Sequence, residues 1–257
     1  MLVVGFDTAT PAVSVALHDG ERVVSEAFAA DARRHGELLA PMIAKVIADA
    51  GASRADLTAV AVGVGPGPYT GLRVGVVTAR VLGAVLGIPV HGVCSLDIIA
   101  AATSAQGAHA ALGPEFLVAT DARRQEVYWA RYDAAGRRLE GPLVGRAGSI
   151  AGAAELPVAG AGGQLYPAAF GEVIGPAYPD ARTLSAIVAG HLRAPARPPS
   201  PSVPSPSVPS PSVPSLPASW SSSPVPLLAV PLLAAEPLYL RRPDAREPGP
   251  PKRVTPS

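Results

Sequence analysis

The chain predicts an α/β fold built by internal duplication, and three features carry that expectation. Short apolar runs with strand patterning alternate with segments of helical spacing. A glycine-rich turn, Gly63-Val64-Gly65-Pro66-Gly67-Pro68-Tyr69-Thr70-Gly71, follows the apolar run Val60-Ala61-Val62 and opens a long helix-like segment. The second half also repeats the first. Phe116-Leu117-Val118-Ala119-Thr120-Asp121 falls on Leu2-Val3-Val4-Gly5-Phe6-Asp7. The match runs on without gaps, placing Val13 on Val127, Val15 on Trp129, Ala16 on Ala130 and Asp19 on Asp133. Val158-Ala159-Gly160-Ala161-Gly162-Gly163 echoes the strand that enters a glycine turn.

Taken in order, Val3 to Phe6 reads as a buried strand. Val13, Val15 and Leu17 alternate with small or polar residues, which predicts a half-buried strand. Asp19-Gly20 is a hairpin signal ahead of Val23-Val24. Leu38, Leu39, Met42, Ile43, Val46, Ile47 and Ala50 have helical spacing, with Gly51 where a C-terminal cap belongs. Pro41 requires that helix to start close before it, where N–H groups need no intrahelical partner. A strand over Val60–Val64 leads into the glycine turn. A second helix is expected from about Gly71 to Gly87, with Thr70 as its N-cap. Ile88 to Val93 reads as another strand, and Ser95 as the cap of a third helix.

At 257 residues the chain can bury a substantial core. A net charge of +1 gives no electrostatic footprint for autonomous binding to nucleic acid or membrane. One cysteine, Cys94, excludes an internal disulfide and a cysteine zinc site. The N-terminus lacks the basic and long apolar regions of a signal peptide, and no apolar run reaches the ~18 residues of a membrane span. A cytoplasmic location is therefore expected. From about Ala194 the composition changes, and Ser-Pro-Ser-Val-Pro occurs three times between Ser200 and Pro214. Dense proline removes backbone donors and favours extended conformations, so this stretch predicts a low-complexity segment without a packed core.

The glycine turn offers unpaired N–H groups and close backbone approach at a helix start, which suits an anion. It is not a P-loop, because Gly71 is followed by Leu72-Arg73 rather than Lys and Ser or Thr. Asp7, at the end of the first strand, has two open readings. One places it near nucleotide phosphates and their metal; the other has it accept N–H bonds in its own turn. Asp121, in the repeated place, is read as structural. The histidines lack metal-ligand spacing, and strand alternation puts His91 and Cys94 on opposite faces. Gly71, Gly75, Ala79, Gly83 and Gly87 recur every four residues and give the second helix one narrow face. That face suits either the chain's own sheet and first helix or a second protein.

Four segments in order resemble the TsaB (YeaZ) family: Phe6-Asp7-Thr8-Ala9-Thr10, Arg34-His35 ahead of Leu38-Leu39-Ala40-Pro41-Met42-Ile43, Gly65 to Gly75, and Pro89-Val90-His91-Gly92-Val93-Cys94-Ser95-Leu96. The likeness covers about residues 1–190, and Pro237-Leu238-Tyr239-Leu240-Arg241-Arg242-Pro243-Asp244 is also family-like. The resemblance implies an actin-like (ASKHA) fold of two subdomains, expected at residues 1–105 and 106–193. The Pro/Ser-rich segment would span 194–235 and a tail 236–257. Pro68 stands where the family usually has Ser, which puts phosphate contact by this turn in doubt.

The resemblance further implies a non-catalytic subunit, with no metal of its own, that pairs with a TsaD-like catalytic subunit through N-terminal helices. That pair, joined by a TsaE-like ATPase, transfers a threonylcarbamoyl group to a tRNA adenosine beside the anticodon. The expected interface comprises Leu38, Leu39, Met42, Ile43 and Val46 of the first helix with Gly71, Val74, Gly75, Thr78, Ala79 and Leu82 of the second. The same face would form a homodimer in isolation, and tRNA would be met only through the complex. Asp7, Gly65, Gly67 and Thr70 are the residues expected near any nucleotide. No nucleotide is expected on the isolated chain, with ATP or ADP placed at the complex interface. The rival reading is an independent small-molecule kinase or ATPase of the same fold.

Overall fold

The structure is a computed structural model, and it describes residues 1–31, 33–105, 113–194 and 230–240. Of the expected low-complexity segment residues 195–229, and of the expected tail residues 241–257, lie outside the described residues, whereas 230–235 pack on the core rather than belonging to a segment without one. The first half runs β1 (Val3–Asp7), β2 (Ala12–His18), β3 (Val23–Ala30), α1 (His35–Asp49), β4 (Ala59–Gly63), α2 (Tyr69–Leu86), β5 (Val90–Val93) and α3 (Ser95–Ala105). Its five strands lie in the order β3-β2-β1-β4-β5. The β1–β2 and β2–β3 pairs are antiparallel, and β1–β4 and β4–β5 are parallel.

The second half supplies β6 (Glu115–Asp121), β7 (Glu126–Asp133), β8 (Arg138–Arg146) and β9 (Val158–Ala159) in the order β8-β7-β6-β9. The central strand again pairs antiparallel with its hairpin partner and parallel with the later strand. The duplication read from sequence is therefore present in the topology. Val3 pairs with Ala59, and its counterpart Leu117 pairs with Val158. The hairpin registers differ by one residue, since Asp7 faces Ser14 whereas Asp121 faces Val127 rather than Tyr128. Two helices follow, α4 (Ala161–Leu165) and α5 (Ala181–Arg193).

Alternation along β1 divides the core. Val4 and Phe6 face α1 and α2 and pack with Leu39, Val46, Leu72 and Val76. Val3, on the other face, joins Ala59, Leu184, Ile187 and Val188, so α5 covers that side of the first sheet. The sequence reading did not foresee α5. Its signals are Asp180, which accepts from Thr183 N at 2.7 Å as an N-cap, and the spacing of Leu184, Ile187 and Val188. This helix explains one correction: β2 is buried along its whole length, not half-buried. Ala181 N donates to the Ser14 hydroxyl on the face expected to be wet. Buried helix α3 lies between the sheets, with Ile98 in the first core and Leu96 and Ile99 against Phe116 and Tyr132 of the second.

Other elements differ in detail. Pro41 lies within α1, past the first turn in which it was expected to be tolerated. Residues 230–240 return to the fold, with Leu233 N and O bonded to Gly92 and Leu238 N donating to Val64 O. Thr70 is not the cap of α2; the N-cap is Pro68, and Thr70 lies inside the helix. Gly87 ends that helix with φ 66°, as the sequence suggests. Ser95 does not cap α3. Its hydroxyl donates to Asp7 Oδ2 and accepts from Gly65 N, while Cys94 O receives Ile98 N.

The small-residue face of α2 turns inward. A Cβ on Gly75 would lie 2.5 Å from Thr8 Oγ1, one on Gly71 2.7 Å from Thr8 O, and one on Gly83 2.2 Å from Val90 Cγ2. Ala79, between them, is fully buried. Gly75→Ala provides a test of direction. On a free face it would stabilise the helix by up to ~1 kcal/mol. Pressed on Thr8 it is expected to destabilise by ~1–3 kcal/mol, read from urea denaturation.

Candidate functional site

Three places bear on function: the turn around Asp7, the exposed face of α1 and α2, and a cleft between the halves. Around the turn, Asp7 is 1% exposed. Its Oδ1 accepts from Ala9 N at 2.7 Å and its Oδ2 from Ser95 Oγ at 2.5 Å. Gly63 must be glycine here, because an added Cβ would lie 1.7 Å from Asp7 Oδ2. Burial pushes the Asp7 carboxyl up to about 6, against the lowering pull of the Ser95 and Ala9 bonds and the nearby His35. Gly65 and Gly67 are buried beside it, and a Cβ on Gly67 would meet Ala9 O at 2.1 Å. Thr70 is exposed on the first turn of α2, so the four residues expected near nucleotide do not line one open site.

His35 opens α1 and fastens it to this turn, its Nε2 donating to Thr10 O at 2.8 Å. Sequence reasoning did not assign it that part, nor Ser95 its bond to Asp7. Cys94 is buried, and desolvation pushes its thiol up to about 12. Among the described residues no three His, Cys, Asp or Glu side chains are grouped to hold a metal ion. No helix among the described residues is long and apolar enough to cross a membrane.

The expected interface residues divide by burial. Leu39, Ile43, Val46, Gly75 and Ala79 are buried in the chain's own core. Leu38, Met42, Gly71, Val74, Thr78 and Leu82 are half-buried. Ile43, Thr78 and Leu82, with Ala40, Ala44 and Ile47, line a groove of about 560 Å³ between α1 and α2. The outward ridge of α2 lies beside the half-buried Val74, Thr78 and Leu82 of the expected interface. It consists of Val77, Val81 and Val85, which are 51%, 57% and 76% exposed. Their spacing of four residues was readable, and it marks the face opposite the glycines.

The cleft between the halves contrasts with the sealed Asp7. Asp121 lines it, together with Thr10, Thr120, Arg123, Gln164 and Tyr178. In the first half Ser95, the first residue of α3, closes over Asp7. In the second half an irregular segment takes the place of β5 along β9: Val173 bridges Val158 in parallel, and Gly160 N and Ala161 N donate to Pro176 O and Ala177 O. Asp121 Oδ1 does accept from Arg123 N at 2.7 Å, which is the structural part expected of it.

These features align with known proteins. Residues 23–167 match the family model described as TsaD, tRNA N6-adenosine threonylcarbamoyltransferase. The chain is 40% identical over 250 residues to the uncharacterized protein ML0378 of Mycobacterium leprae, covering 95% of this chain and 56% of that protein. It is 40% identical over 134 residues to the tRNA threonylcarbamoyladenosine biosynthesis protein TsaB of Escherichia coli, covering 51% of this chain and 55% of that protein. The chain thus spans little more than half the length of these two curated relatives. The solved structure of YeaZ from Pseudomonas aeruginosa superposes with a TM-score of 0.60 at 30% identity, over 74% of this chain and 91% of that one. The chain belongs to the TsaB (YeaZ) family. With that membership the fold is the actin-like one, its duplicated sheets flanked by helices.

The buried carboxyl makes stability depend on pH. Asp7 holds its proton more tightly folded than unfolded, because its pKa rises from 3.8 to about 6. Stability contributed by the protonated form is therefore lost as pH rises from about 4 to about 6, by up to ~3 kcal/mol. Asp7→Asn removes that titration. Relative to the parent chain, the variant is expected to fare better at about pH 7.5 than at about pH 4.5 in urea titrations. An equal difference at both values would refute the assignment.

Proposed function

We propose that this TsaB-family chain is a non-catalytic partner subunit in the making of threonylcarbamoyladenosine in tRNA. It binds a TsaD-like catalytic subunit and activates threonylcarbamoyl transfer to the adenosine beside the anticodon. The relatives' names support the pathway, and the TsaD family model supports the kind of partner. The observation that carries the binding role is the ridge of Val77, Val81 and Val85 beside the α1–α2 groove. Aligned exposed valines next to an apolar groove are what a helix-pair interface needs. The sealed state of Asp7 supports a chain whose own turn does no chemistry. In this reading a TsaE-like ATPase and tRNA join through the complex, ATP or ADP sits at the interface, and the same ridge pairs two copies when no partner is present.

Light scattering after size exclusion, with the TsaD homologue of the same genome, tests the reading. A heterodimer that transfers threonylcarbamoyl groups, with neither chain active alone, is the expected result. Val81→Asp and Val85→Asp, both on exposed positions, should each weaken the complex by more than about tenfold while leaving the unfolding midpoint unchanged. Val46→Asp is a poor test, since Val46 is fully buried and the change would damage the fold. Magnesium-dependent ATP turnover by this chain alone, with no complex, would replace the reading with an independent kinase or ATPase.

A further inference from the structure

We propose that the surface built by α1 and α2 takes a partner helix with an apolar centre and an acidic rim, and that Arg54 and Arg80 select it over a second copy of this chain. The proposal rests on the partner-subunit reading and names the chemistry of the partner's face.

The apolar centre is the α1–α2 groove of about 560 Å³ with the valine ridge beside it. Ala40, Ala44 and Ala48 give its α1 wall small side chains, so the groove admits larger ones from outside. Both borders of this surface carry a cation. Arg54 lines the groove just past the end of α1. Arg80 is exposed, three residues after Val77 and four before Ala84, on the side of the ridge turned away from Thr78 and Leu82.

The carboxylates decide the class of partner. Helix α2 has Arg73 and Arg80 and no acidic residue. Helix α1 has Glu37 and Asp49, and each is already held: Arg34 Nε lies 3.3 Å from Glu37 and Lys45 Nζ 2.5 Å from Asp49. Asp56, two residues after Arg54, accepts from Ser53 N and Oγ, both at 2.7 Å. Among the described residues the guanidinium groups of Arg54 and Arg80 have no ion pair. The surface therefore presents unpaired positive charge around an apolar centre. A partner with carboxylates at its rim pairs both arginines while it covers the apolar centre. A second copy brings the same cations. A twofold contact uses one patch twice, so the rim arginines gather with no free carboxylate between them. Self-pairing is the weaker use of the ridge.

The test compares the full parent chain with Arg54→Gln/Arg80→Gln and Arg54→Glu/Arg80→Glu at about 50 and about 500 mM NaCl, a range over which surface charge is largely screened. Calorimetry reads binding to the TsaD homologue of the same genome, and light scattering reads pairing of the chain alone. Both positions are exposed, so melting temperatures should match the parent's. At low salt the Gln variant should bind the homologue about tenfold more weakly than the parent, and the Glu variant about a hundredfold. High salt should weaken the parent's complex about tenfold and leave the Gln variant's unchanged. For the chain alone the order reverses, and the Gln variant should pair with itself at low salt more tightly than the parent does. The parent mixed with the Glu variant, whose rims are opposite in charge, should form a mixed dimer tighter than either forms with itself. Equal affinity of parent and Gln variant for the homologue at both salts, or a mixed dimer no tighter than the parent's own, overturns the proposal. Absence of any complex between parent and homologue overturns the partner-subunit reading instead. The mixed dimer needs only this chain, so it separates the two failures.

Discussion

One hydroxyl sets the geometry of the first half. Thr8 Oγ1 donates to Gly71 O at 2.8 Å and accepts from Gly75 N at 3.0 Å. It therefore spans two groups that an α-helix pairs with each other, and it ties the turn after β1 to α2. Both glycines follow from it, because a Cβ at either would strike Thr8. With Gly67 pressed on Ala9 O and His35 bonded to Thr10 O, the turn draws α1, α2 and the glycine loop onto residues 8–10. Loss of one partner would leave a buried polar backbone group unpaired, at a cost of ~1–3 kcal/mol.

That packing decides which surface of α2 remains free. Once the glycine face is spent on the chain's own turn, the opposite face is what solvent or a partner meets. Val77, Val81 and Val85 lie on it. The same constraint turns Asp7 inward, where Ser95 and Ala9 occupy its oxygens. In the duplicate half residues 172–177 run beside β9 without forming a regular strand, and Asp121 opens on a cleft. Two copies of one strand-turn-strand plan have diverged in what covers the turn.

A second constraint joins the halves. Asp97 on α3 accepts from Tyr132 Oη at 2.7 Å and lies 3.4 Å from Arg138 Nη1, both on the second sheet. Burial raises the carboxyl's pKa, while Arg138 and Tyr132 pull it down. Buried polar groups that meet across a core fix one arrangement of the elements they join, because any slip leaves them unpaired. The helix that carries Asp97 also packs Ile98 on the first sheet and Ile99 on the second.

By itself the sequence determined the strands other than β8, the duplication, the hairpin at Asp19-Gly20, the C-terminal glycine of α2 and the family. These are local or periodic signals: alternation, turn chemistry and motif spacing. It could not rank two uses of the glycine stripe, since a narrow face suits a sheet and a partner equally. Helix α5 was missed although Asp180 and the 184–187–188 spacing announce it, and with it the full burial of β2. Tertiary structure alone decided that Ser95 would bond Asp7 rather than cap α3, since those residues are 88 positions apart. It likewise decided that Asp121, read as structural, would line a cleft with Thr10 of the other half. Contacts between distant residues depend on how elements stack, and no local pattern encodes that.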